Sequence, residues 1–273
     1  MQGRPGQEQA LEVRTSKWAG ALALSVLAIG GITTASAVVI QRDGVRVTVL
    51  SQVMPFKLPR DHLAPIAIFV SGHVDTATGA LPPQLQRMTV RVNRRGVLQS
   101  KGLPTCTLPE VKTTSTEEAL GACKDALVGS GRFWADIVLP DQRPYPTRGR
   151  LLVFNGKRKG KPVVFSHIFT ASPFPSSFVI TFAIRKVKSG RYGTELSASL
   201  PQALGTWGFV DRIKLTLKRK YRAQRKQLSY FNASCPAPKG TNTTPVPLAE
   251  ASFYFAKRKP ISLRVNKSCR VTG

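Results

Sequence analysis

Hydrophobic and polar residues alternate with a period of two along most of this chain. The clearest case sets Ile213, Leu215, Leu217 and Tyr221 on one face and Lys214, Thr216, Lys218, Lys220 and Arg222 on the other. Phe178, Ile180, Phe182 and Ile184 repeat the pattern against Val179, Thr181 and Ala183, as do Val45/Val47/Val49, Ile66/Ile68/Val70, Met88/Val90/Val92, Phe133/Ala135/Ile137 and Ile261/Leu263/Val265. Such runs are rich in β-branched and aromatic residues and are punctuated by Gly, Pro and Asn, and they predict about a dozen strands. No helical periodicity alternates with them. The expected fold is all-β: an antiparallel two-sheet sandwich or jelly roll with one short helix near 115–127.

That helix is marked by Ser115 followed three residues later by Glu118, a capping-box spacing, with Glu117 and Glu118 where the helix dipole favours acid. Ala119, Cys123 and Leu127 then fall on one stripe, and Gly129 suits a C-terminal stop. The stripe turns Cys123 inward, so the helix has a structural role.

The first 37 residues break the strand pattern. Arg4, Arg14 and Lys17 precede the uncharged, mostly apolar run Trp18–Ile32, and Ala35-Ser36-Ala37 supplies small residues at alternate positions. This reads as a secretory signal peptide cleaved near Ala37, with an uncleaved single-pass anchor as the alternative. Either arrangement leaves the remainder outside the cytoplasm. Beyond it, a boundary is expected near 93–105, between an N-terminal β segment (38–105) and a cysteine-bearing body (106–273). Residues 236–247, rich in proline, read as a stiff loop.

Cys106, Cys123, Cys235 and Cys269 permit three disulfide connectivities, and nearness along the chain favours Cys106–Cys123 with Cys235–Cys269. No pair has close CxxC-type spacing and no histidine adjoins one, so neither a metal nor a cofactor is expected.

Charge changes the picture most. The chain carries 41 Lys+Arg against 14 Asp+Glu, a formal net charge of +27. Such a balance attracts polyanions such as envelope polymers, anionic lipid headgroups or nucleic acid, or simply keeps a protein soluble. Lys157, Arg158, Lys159 and Lys161 cluster between two apolar runs, as do Lys218, Lys220, Arg222, Arg225 and Lys226, and Lys257-Arg258-Lys259 forms a third tip. If the topology gathers these tips at one end they make a polyanion-binding surface; otherwise they are solvated turns that guard sheet edges. Nucleic acid is not expected, because the alternation places Tyr221, the aromatic among these charges, on the core face.

Catalytic signals are thin. His62 adjoins Asp61, which points the two side chains apart in an extended segment, and His167 lies inside an apolar strand. Gly129-Ser130-Gly131 lacks the spacing of a nucleophile elbow. No pair of carboxylates stands out for glycoside chemistry. A binding protein is therefore expected ahead of an extracellular hydrolase or a carrier of an apolar ligand, the last suggested only by the phenylalanines of Phe165–Phe182.

Several stretches, Ala126–Gly131, Leu152–Gly156, Gly193–Leu196, Ser229–Gly240 and Ser268–Val271, together resemble a group of exported proteins of high-GC Gram-positive bacteria. The resemblance covers most of 106–273. It implies export and a β-rich fold, and it brings with it no activity, substrate or catalytic residue.

Overall fold

The computed structural model describes residues 37–138, 143–172, 174–200, 208–223 and 225–272; the leader reading of the first 36 residues lies outside them. Among the described residues eighteen strands follow the alternating segments. In chain order the first seven are β1 (Ala37–Arg42), β2 (Val45–Met54), β3 (Lys57–Leu58), β4 (Ala64–Pro65), β5 (Ala67–Thr76), β6 (Leu85–Asn93) and β7 (Gly96–Leu98). After the helices α1 (Leu108–Val111) and α2 (Thr116–Cys123) come β8 (Leu127–Ile137), β9 (Tyr145–Arg158), β10 (Lys161–Thr170), β11 (Ser176–Lys186), β12 (Tyr192–Ser199) and β13 (Gly208–Leu217). The chain ends with β14 (Lys220–Ala223), β15 (Lys226–Ser229), β16 (Phe231–Ala233), β17 (Thr243–Phe255) and β18 (Ile261–Val271).

Thirteen strands form one sheet in the order β1-β2-β5-β13-β8-β9-β10-β11-β12-β6-β17-β18-β3, antiparallel except for the β18–β3 pair. The sheet folds over about its middle into two facing layers. Val45, Val47 and Val49 of β2 meet Phe253 and Phe255 of β17 and Ile261 and Leu263 of β18 in one interior cluster. Phe133, Leu151, Ile168, Ile180 and Ala198, from five consecutive strands of the fold's other half, fill a second. Strands from both sides of residue 105 share the sheet, since β6 lies between β12 and β17.

One end of this sandwich is plugged. Tyr230, Phe231 and Ala233, with Tyr221 and the Cys235–Cys269 bridge, pack against the ends of the inward faces at Val128, Val153 and Val164. Tyr230 is fully buried and meets Phe231 edge-on, ring centroids 4.8 Å apart. The small β4-β16-β7 sheet and the β14–β15 hairpin carry these residues.

β9 and β10 are buried on both faces over Leu151–Gly156 and Val163–Ile168, because a helical segment covers their outer side. Val111, Ala119 and Cys123 pack there on Leu152, Phe154 and Phe165, and Cys106–Cys123 ties the segment to itself. Ser115 Oγ accepts from the Glu118 amide at 3.1 Å, as its spacing predicts. The reciprocal arm differs: the Glu118 carboxylate accepts from the amide and hydroxyl of Thr114. The helix passes into a 3-10 turn, Lys124–Ala126, and Gly129 stands inside β8 instead of forming the stop. The expected loop also ends early. Thr243–Pro247 belong to β17, paired with β18 on one side only, which lets Pro245 and Pro247 sit in a strand without removing a ladder bond.

On the outward face of the second layer, charges alternate across five neighbouring strands: Arg185, Glu195, Arg91, Glu250 and Arg264 stand directly opposite one another in register. The ion pairs measure 2.8 Å (Arg185–Glu195), 2.9 Å (Arg91–Glu195), 3.5 Å (Arg91–Glu250) and 2.9 Å (Arg264–Glu250). The hydrogen bond from Arg91 holds the Glu195 carboxyl below the usual carboxylate range.

The two disulfides are the pattern of a protein that folds in an oxidising compartment. Among the described residues no helix is long and apolar enough to cross a membrane.

Two predictions follow from this architecture. Cys106–Cys123 closes a loop of sequence separation 17. Loop entropy assigns it about 3 kcal/mol, so Cys106→Ala/Cys123→Ala should lose about that much in urea unfolding and expose the amides of α2 to exchange first. A depressed carboxyl pKa gives stability that is present above the ordinary carboxylate range and lost as pH falls through the lower folded value. Glu195→Gln should therefore cost roughly 1–2 kcal/mol at neutral pH, by loss of charge-assisted hydrogen bonds. Its deficit against the parent chain should shrink below about pH 4 in denaturant titrations.

Candidate functional site

The β9–β10 hairpin turns at Lys159-Gly160, with φ of 50° and 73°. Both central residues are left-handed, as a two-residue type I′ turn requires, and Arg158 faces Lys161 across it. Lysine in the left-handed region is uncommon, since glycine and asparagine occupy it at lower cost. The β14–β15 hairpin repeats the feature at Arg225, whose φ is 61°. Here Tyr221 anchors the strand: its ring is buried and its hydroxyl donates towards the carbonyls of Lys101 (2.9 Å) and Gln99 (3.2 Å).

Strand register decides which cationic tips come together. β8 begins beside Phe154 of β9, and β13 ends beside Gly129 of β8, so β13 delivers its chain to the end where β9 turns. The segment from Gln99 to Cys106 then links the two hairpins. Gly102 abuts Ala223, and the Cys106 backbone bonds to Asn155 and Lys157 at 3.0 Å each. Lys157, Arg158, Lys159 and Lys161 thus lie at the same end of the sandwich as Lys218, Lys220, Arg222, Arg225 and Lys226. All nine are exposed, and among the described residues none is in an ion pair. Lys257, Arg258 and Lys259 do not join them. They connect Phe255 to Ile261 at the opposite end, beside the start of β6 at Leu85. There they line a shallow cavity of about 660 Å³ with Arg87, whose guanidinium lies 3.9 Å from the centre of the Tyr254 ring.

Of the remaining sequence candidates, His62 and Phe174 are exposed, and His167 and the core phenylalanines fall in structural roles. His167 is fully buried beneath the helical segment, its Nδ1 3.1 Å from the Val111 carbonyl. Burial pushes its pKa down, and the acid nearest in influence, Glu117, is exposed and paired with Arg150. A sealed imidazole meets no substrate. Phe165, Phe178 and Phe182 pack in the core clusters. Cys106 and Cys123 lie near Glu110, but both sulfurs are consumed in a disulfide, which removes the thiolates a metal would need.

A second cationic surface, invisible in the clusters along the chain, lies on the outward face of β13, β8 and β9. Lys214, Arg132 and Arg150 stand directly opposite one another across three adjacent strands, and in the next row Arg212 and Arg148 flank Trp134. The Arg212 guanidinium and Lys214 ammonium lie 5.9 and 5.8 Å from the indole ring. Glu117 reaches Arg150 at 3.1 Å from α2, and Asp136 borders the patch one pair further along β8. The outward alternation of Arg132 and Trp134 was readable locally. Their neighbours on β9 and β13 were not.

The fold and its surfaces define a disulfide-linked all-β sandwich with strongly cationic exposed faces. The chain matches no protein-family model, no curated protein and no solved structure.

Lys159→Asn should relieve the left-handed lysine and raise stability by about 1 kcal/mol or less in urea unfolding. No gain would mean that the turn is not strained.

Proposed function

We propose that this protein binds an anionic partner outside the cytoplasm, an envelope polymer or a surface of anionic lipid headgroups, through the cationic end built from the β9–β10 and β14–β15 hairpins. The observation that carries this reading is the convergence of nine exposed cations from the two hairpins and the segment leading into the second, none of them in an ion pair among the described residues. Two of them, Lys159 and Arg225, occupy left-handed positions that a turn selected only for stability fills with glycine or asparagine. The oxidising compartment indicated by the disulfides supports an extracellular partner.

The interaction is electrostatic. Exposed cations gain little from any single contact, so affinity comes from several acting together on one chain of charges, and salt screens it within about 8 Å at physiological strength. The buried ring of Tyr221 holds its strand rigid, so the flanking Lys220 and Arg222 are presented without much loss of backbone freedom on binding.

Retention of the oxidised protein on isolated cell envelope, titrated with salt, tests the reading. The parent chain should be held at low salt and released steeply as salt rises. Lys157→Glu/Lys161→Glu/Lys220→Glu/Arg222→Glu should lower retention at least roughly tenfold, since each exposed charge contact contributes a few tenths to 1 kcal/mol. Delipidated envelope and anionic vesicles run in parallel separate polymer from headgroup. Retention unchanged by the reversals disposes of the hairpin surface.

A further inference from the structure

Two rows on the outward face of the large sheet treat charge in opposite ways. Across β11, β12, β6, β17 and β18 one row, Arg185, Glu195, Arg91, Glu250 and Arg264, sets every cation opposite a carboxylate. Across β13, β8 and β9, Lys214, Arg132 and Arg150 stand opposite one another with no acid on these three strands between them; Glu117 of α2 reaches only Arg150, and Arg212 and Arg148 follow in the adjacent row on either side of Trp134. Directly opposed like charges destabilise a sheet, because opposite residues lie only about 5 Å apart at Cβ. The same chain assembles a fully alternating ladder a few strands away, so the repulsive rows are not a failure of available carboxylates. Backbone geometry brings the rows still closer: a Cβ on Gly131 would meet the Lys214 carbonyl oxygen at 2.0 Å, so only glycine lets β13 approach β8 this tightly.

Trp134 stands in the middle of these charges, half-buried, beside Arg212 and Lys214. A flat ring ringed by cations suits a ligand with both a flat apolar face and anionic substituents. The patch's row Lys214, Arg132 and Arg150 runs across three adjacent strands, about 10 Å at the usual strand spacing.

From these observations we propose that the outward face of β13, β8 and β9 is a second binding site, for an extended acidic polysaccharide whose sugar ring stacks on Trp134 while its anionic groups neutralise Arg132 and Lys214. A small anion would fill the Lys214–Arg132 row and leave Trp134 with its flanking Arg212 and Arg148 unused. A nucleic acid strand is served by successive aromatic platforms, and here one tryptophan stands among the cations. This site shares with the hairpin reading only the sign of its ligand, and it stands on separate residues.

The test measures binding of oligogalacturonates of increasing length by calorimetry at low salt, with a neutral galactan and a single-stranded oligodeoxynucleotide of matched length as comparators. Affinity should rise with oligogalacturonate length until the patch is filled, and the neutral galactan should not bind. Arg132→Gln/Lys214→Gln should weaken binding roughly tenfold, as expected for two or more exposed charge contacts. The same substitutions should raise the thermal midpoint of the free protein at low salt, because repulsion is removed, which also verifies folding. Trp134→Ala should weaken binding with little change in salt dependence. The hairpin quadruple variant should bind oligogalacturonate at this face like the parent chain, so failure of one site is distinguishable from failure of the other. Unchanged affinity in the Arg132→Gln/Lys214→Gln variant, or in Trp134→Ala, overturns the site. Tighter binding of the oligodeoxynucleotide than of the acidic oligosaccharide overturns its ligand.

Discussion

The valine row of β2 against the aromatic and aliphatic rows of β17 and β18 is the contact on which the rest of the molecule depends. An open thirteen-stranded sheet would leave one whole face of alternating apolar residues in water. Folding it over buries Val45, Val47 and Val49 on Phe253, Ile261 and Leu263, and so brings the first strands of the domain against the last. Burial of each such side chain favours the folded state by about 1.5–3 kcal/mol. The fold is therefore held by pairs far apart in the chain, with the helical segment and the end plug added to surfaces that this closure creates.

Once the inward face is committed to the core, the outward face is free to vary, and this protein uses it in two ways. On the second layer the register aligns Arg185, Glu195, Arg91, Glu250 and Arg264 into an alternating ladder that binds five strands together. On the first layer the same register aligns cations with cations. The contrast makes the second surface interpretable: in a single sheet the alternating row is the internal standard for Lys214 and Arg132, which face each other. On the proposed reading, the cationic hairpins at one end and the cationic face beside them are the parts of the molecule that would attract polyanions.

Much of this was legible in the amino-acid order, for local reasons. Alternation at Ile213, Leu215 and Leu217 identified a strand and its inward face, since side chains on a strand point to opposite sides whatever its neighbours are. Ser115 marked the start of α2 because an N-cap bond spans only three residues. Cys106 with Cys123, and Cys235 with Cys269, pair as nearness along the chain suggested. Reading failed where a local signal had a second meaning. Gly129 resembled a helix stop but serves close strand packing, with the Thr216 carbonyl oxygen 2.8 Å from where its Cβ would lie. Pro245 and Pro247 resembled a loop but tolerate the unpaired side of β17.

By itself, then, the sequence determined that this is an all-β, disulfide-linked protein, which residues face inward along each strand, and that the surface is strongly basic. These properties depend on period, spacing and composition, all of which are local. The tertiary structure alone decided which strands are neighbours. That choice sent Lys257–Lys259 to the end opposite Lys157–Lys161, sealed His167 under Val111, and set Arg132 between Lys214 and Arg150. Each outcome rests on hydrogen-bonded register between segments up to more than a hundred residues apart, and no local pattern encodes the partner of a strand.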